Sequence, residues 1–189
     1  MELKIIFTVF NKSIADTAHV KQQLPFYSTA NERIDRYRTL LLEYFDAPRH
    51  PFINEDNWLY ARTGVIKELK QIINKVPNVT MEIQEFHTDI MHESNESATV
   101  EGKNIIVTFH GRNRGTSNDE ILLVGAHYDS DNTGPLSLND NGSGVVAMLE
   151  VVRGLADAIV NKRAVLLNTV IFVAFDVQRF EHVRLYLID

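Results

Sequence analysis

The sequence contains no cysteine. That absence excludes disulfide frameworks, cysteine-ligated zinc fingers and thiol nucleophiles, so a transition metal must be held by His, Asp and Glu. Long apolar runs are missing too: none approaches the ~20 residues that a membrane span needs. Positive charge is in deficit, with 19 Lys and Arg against 25 Asp and Glu and a net charge of -6, which argues against a nucleic-acid partner. There is no internal repeat and no low-complexity tract. What is there is a chain of 189 residues, 44% apolar and 23% charged, the composition of a soluble globular protein with a core of its own.

The N-terminal MELKIIFTVF carries a six-residue apolar run. This is shorter than the ~7–15 residues of a signal core, and no small-residue cleavage site follows. It reads as the start of a buried strand or helix. Asn-x-Ser/Thr sequons at Asn11, Asn78, Asn95 and Asn141 suit a secreted protein or the secretory-pathway lumen.

Periodicity divides the chain into a weakly patterned segment, 1–50, and an α/β domain, 51–189. Helical spacing predicts helices over 30–46 and 54–76, the second carrying Trp58, Ala61, Val65, Leu69, Ile72, Ile73 and Val76 on one face before Pro77 closes it. Alternation predicts a strand over 81–90. Residues 92–103 are polar and read as a loop, and 104–111 as a second strand. ILLVGAHYD (121–129) reads as an interior strand covered on both faces, as does TVIFVAFD (169–176). Between them, helix 143–160 is expected to bury Val145, Val146, Met148, Leu149, Val152, Leu155, Ala156 and Ile159. The strand–helix–strand unit favours parallel pairing. The expected fold is α/β, a mixed and mostly parallel sheet with helices on both faces.

Chemistry concentrates where strand 121–129 hands over to helix 143–160. In an extended segment residues i and i+2 share a face, so His127 and Asp129 point together at the strand's C-terminal end, where open α/β sheets place their sites. His127 can offer a ring nitrogen to a metal while Asp129 accepts the other ring N–H. Asp140 stands just before the helix, among glycines that permit a tight turn. Each piece alone is ordinary: His-x-Asp can be a surface pair, and Asp140 can simply cap the helix. Together, in this order between two apolar elements, they point to a metal site. His19, His50, His87, His92 and His110 sit in surroundings that suggest structural roles or none.

At these residues the chain resembles the co-catalytic zinc exopeptidases of the bacterial aminopeptidase and plasma glutamate carboxypeptidase type. Gly125-Ala126-His127-Tyr128-Asp129-Ser130 is similar to the family's strand-end motif, and Leu138-Asn139-Asp140-Asn141-Gly142-Ser143-Gly144 to its metal loop. The likeness runs from about residue 54 to 176 and implies a zinc-exopeptidase-like fold. It implies two zinc ions, with His127 binding one, Asp140 bridging both and Asp129 orienting His127. The substrate would be a peptide, hydrolysed at its N-terminal bond by an activated water with a carboxylate as base.

The family's next element is a strand followed by Glu-Glu. An ungapped alignment places Gln178 and Arg179 there, which can serve neither as base nor as ligand. A gap brings Glu181 into register as the base and His182 as a substitute ligand. The family's later Asp and His ligands have no counterpart in the seven residues beyond His182, so the resemblance reads as C-terminally truncated. A catalytic zinc usually has three protein ligands, so the chain by itself is expected to bind zinc weakly. Two alternatives accompany the aminopeptidase reading. One is an inactive short form that associates with itself or a relative through an unfinished sheet edge. The other is a glutaminyl-peptide cyclase of the same fold.

Overall fold

The computed structural model describes residues 4–5, 30–91, 97–131 and 137–178. His19, His92, Arg179, Glu181 and His182, singled out above, lie outside the described residues, as do the sequons at Asn11 and Asn95.

The elements run β1 (Lys4–Ile5), α1 (Ala30–Tyr44), α2 (Glu55–Ile73), β2 (Val79–Met91), β3 (Ser97–Phe109), β4 (Leu122–His127), α3 (Gly142–Val160) and β5 (Val170–Phe175). They form a five-stranded sheet in the order β1-β4-β5-β3-β2. The strand–helix–strand unit β4–α3–β5 pairs in parallel, as its spacing implies. β5 to β3 and β3 to β2 are antiparallel. The sheet is mixed, as expected, but evenly divided rather than mostly parallel.

The reason lies in β3. Its first half, read from sequence as loop, continues the strand back to Ser97 and pairs with β2 in an unbroken register from Val79↔Phe109 to Met91↔Ser97. Polar residues hold it there by cross-strand contacts. Lys103 Nζ meets Glu85 across the strands at 2.7 Å, and the Thr99 hydroxyl donates to Asp89 at 2.6 Å. Exposed strands stabilise themselves through such pairs, and that leaves no apolar alternation to read.

α3 buries Val145, Val146, Met148, Leu149, Val152 and Ala156, as its stripe predicts, with Leu155 and Ile159 partly buried against the same core. It lies on β4 and β5, and α1 and α2 both pack on α3. Among the described residues the helices therefore make one layer. β4, expected to be covered on both faces, buries Leu123 and Ala126 but leaves Leu122 39% exposed. α1 belongs to the stretch read as weakly patterned. It docks through Arg36, which grips Glu150 with two hydrogen bonds of 2.7 and 2.6 Å, and through the Tyr37 hydroxyl, which donates to Ser143 O. The core joins Phe45, Trp58, Val65 and Leu69 of the helical layer to Ile105, Val107, Phe109, Phe172 and Ala174 of the sheet.

Candidate metal centre

β4 and β5 lie side by side in parallel, so their C-terminal ends open at the same edge. His127 pairs with Phe175, and Tyr128 N donates to Phe175 O at 3.0 Å. Gly125 permits this close approach, since a Cβ there would strike the Phe175 ring.

His127 ends β4 with its side chain 11% exposed. Its Nδ1 lies 3.1 Å from the Asp129 carbonyl and 3.5 Å from the Asp129 carboxylate. The nearer partner of Nδ1–H is thus the backbone oxygen of Asp129, with the carboxylate behind it. Either acceptor keeps the proton on Nδ1 and turns Nε2 outward as a donor atom. Nε2 lies 3.2 Å from Asp140 Oδ1. Burial alone would lower the imidazole pKa, but the hydrogen bond and charge of Asp129, and then the charge of Asp140, carry it above its ordinary value.

Asp140 stands in the turn before α3, its side chain 40% exposed. It does not cap the helix. The N-cap is Asn141, with no side-chain capping bond, and the Asp140–Asn141 peptide is cis. Gly142 fits against Phe45, where an added Cβ would come within 2.6 Å of the Phe45 Cβ. The ordinary reading of Asp140 as a helix cap is therefore not what the geometry provides.

The pair suits zinc. Two ligands about 2.0–2.1 Å from a tetrahedral ion stand ~3.3 Å apart, close to the 3.2 Å between Nε2 and Oδ1. One imidazole and one carboxylate are also the nitrogen and oxygen donors that this ion accepts. Among the described residues no group of three such side chains converges. Gln178, the residue at the ungapped base position, is exposed, and follows the buried Val177, whose φ is +54°.

Sequence reading missed the buried polar residues that surround the ends of β4 and β5. Arg49 is fully buried. Its Nε donates to Tyr128 O at 2.8 Å, Nη1 to Phe45 O and Ala47 O at 2.9 Å, and Nη2 to Ser137 O at 2.8 Å. Burial pulls its guanidinium down to about 10 against the pull of Asp129, Asp140 and Asp46. His50 turns Nδ1 to the amides of Phe52 and Ile53, a structural role. Beyond β5, Asp176 accepts hydrogen bonds from Trp58 Nε1, Arg62 Nη2 and the Lys103 amide at 2.7, 2.9 and 2.8 Å. Arg62 was detectable: it follows Trp58 by four positions, on the stripe otherwise filled by Ala61, Val65 and Leu69, and a charge there needs a buried partner.

Comparison with known proteins bears on the fold and on the segment that carries the pair. Residues 104–177 match peptidase family M28. Over 70 residues the chain is 39% identical to the vacuolar membrane protease of Schizosaccharomyces japonicus, covering 37% of this chain and 8% of that protein. The glutaminyl cyclase of Porphyromonas gingivalis superposes with a TM-score of 0.54 at 20% identity, covering 82% of this chain and 47% of that one. A Zn-dependent exopeptidase from Parabacteroides distasonis superposes with a TM-score of 0.51 at 19% identity, covering 85% and 50%. The chain thus spans about half the length of these solved structures. At such identities the structures establish a shared fold, that of zinc-exopeptidase-like α/β proteins. Over the segment that carries β4, His127, Asp140, α3 and β5, the chain is similar to peptidase family M28.

Proposed function

We propose that this chain carries the metal-binding half of a zinc-dependent exopeptidase that removes residues from the N-terminus of peptides. The observation that carries the reading is the convergence of His127 Nε2 and Asp140 Oδ1 at 3.2 Å, inside the family segment and at the open ends of β4 and β5. Bound zinc would supply a Lewis acid for the scissile carbonyl and raise the acidity of water at the site. The chain's own part is to present the donors. The Asp129 carbonyl holds Nδ1–H, His127 offers Nε2, and Asp140 contributes the carboxylate suited to bridge a second ion. Glu181 is the proposed base and His182 the proposed further ligand, three and four residues beyond Gln178.

Zinc titration by calorimetry, with the full chain, tests the site. Affinity should fall at least tenfold on His127→Ala and on Asp140→Ala, and further weakening on His182→Ala would support the third ligand. Unchanged affinity in the first two variants would remove the assignment. The product then separates the enzyme readings. Release of a free N-terminal amino acid supports the peptidase, whereas ammonia release from an N-terminal glutaminyl peptide supports a cyclase.

A lumenal or secreted setting is the compartment we propose. It is supported by the name of the vacuolar relative and by the exposed sequon at Asn78. None of the described helices is long and apolar enough to cross a membrane. A glycosidase-sensitive mass on the native protein, lost in Asn78→Gln, is the expected sign, and an unmodified native mass would count against it.

A further inference from the structure

Arg49 is a buried cation whose hydrogen bonds all go to backbone carbonyls. Two of these, on Phe45 and Ala47, tie it to the end of α1. The other two lie on the segments that carry the candidate ligands. Tyr128 stands between His127 and Asp129, and Ser137 stands three residues before Asp140. The backbone of Arg49 adds to the same joint. Its N–H donates to Ser130 Oγ at 2.8 Å, and its carbonyl accepts from Ser130 N at 3.2 Å.

A guanidinium is planar and its donors point in fixed directions. One rigid group therefore sets the gap between the end of β4 and the turn before α3, with 2.8 Å to each side. A lysine could bring charge to this place but not a fork that spans both segments. Burying a charge is costly unless its donors are satisfied, so the carbonyls hold the arginine as much as the arginine holds them. His127 and Asp140 share no element. Their meeting depends on how these two segments are joined.

We infer that Arg49 is a positioning residue that clamps the end of β4 to the turn before α3, setting the His127–Asp140 distance and with it the affinity of the pair for a divalent cation. The last clause rests on the metal reading above, whereas the clamp can be tested without metal.

The experiment is amide hydrogen exchange on the zinc-free full chain, for the wild type, Arg49→Met and Arg49→Lys. Circular dichroism checks the fold, and zinc titration by calorimetry follows. Both variants should exchange at least about tenfold faster over 128–131 and 137–141, with α2 and the β2–β3 hairpin unchanged. Both should bind zinc about 10–100-fold more weakly, as loss of an outer-shell support does. If Arg49→Met fails to fold, Arg49→Lys decides, since it keeps the charge and loses only the span. Wild-type exchange at both segments in Arg49→Lys would overturn the inference. So would faster exchange with zinc affinity unchanged. A wild type that takes up no zinc, beside variants that exchange faster, would remove the metal reading and leave the clamp standing.

Discussion

Asp176 shows how much one side chain can carry when it is fully buried. It receives Trp58 Nε1, Arg62 Nη2 and the Lys103 and Val177 amides, and so joins α2 to the middle of β3 and the end of β5. Burial pushes its carboxyl pKa up, with Tyr128 and Arg62 pulling the other way. Asp176→Ala strands the Arg62 charge and should cost about 3–5 kcal/mol, as breaking one side of a buried pair does; a urea denaturation midpoint reads it. His127 supplies the pH prediction. Its pKa stands above the 6.5 of the free side chain, because Asp129 and Asp140 outweigh burial. A raised folded-state pKa means that the folded protein binds the proton more tightly than the unfolded chain. In zinc-free protein the resulting stability should be complete below pH 6.5 and fade as pH rises through the higher folded value. Denaturation midpoints from pH 5 to 9 should show that fall in the wild type and a flatter profile in His127→Gln. His127 and Asp140 were legible in sequence because both follow from where an apolar strand stops and an apolar helix starts. Arg49 was not, because its partners are backbone carbonyls, and these leave no mark in residue identity.

Elements were legible where apolar periodicity sets them and illegible where contact across the sheet does. α3 and β5 fall nearly where the pattern places them, since each buries its stripe in the one core. The early half of β3 reads as loop because Glu101, Gly102 and Lys103 interrupt any alternation. Gly102 is strand nonetheless, lying beneath the Phe86 ring where a Cβ would not fit. The same kind of crowding fixes the start of α3. Gly142 abuts Phe45, which is fully buried and cannot easily give way. Gly142→Ala should therefore lift the N-terminus of α3 away from the end of α1. Overpacking of this kind costs about 1–3 kcal/mol. Because Asp140 is two residues away, the variant should also weaken zinc binding. A stability loss with zinc affinity unchanged would show that the turn and the helix start move independently.

At the scale of the molecule, the parallel pair β4–β5 faces its open ends to the site, while the long β2–β3 hairpin extends the sheet on the other side. The candidate site is thus built where three separate stretches meet: the end of β4, the turn before α3 and the Arg49 segment. Folding must bring these stretches together before His127 and Asp140 can meet, and a ligand that bridges the pair stabilises the whole assembly. Any ion bound by the folded state alone adds RT ln(1 + [L]/Kd), about 2.7 kcal/mol at a hundredfold excess over Kd, or roughly 5–10 °C in Tm for a chain of this size. Zinc should therefore raise the melting temperature of the wild type by that amount. It should do little for His127→Ala or Asp140→Ala, and need higher concentrations for Arg49→Lys. Equal shifts in all four proteins would place the zinc elsewhere, on ligands that these two stretches do not provide. A shift that vanishes only in His127→Ala would make the imidazole the sole strong donor, and would leave Asp140 with a role in the turn rather than at the metal.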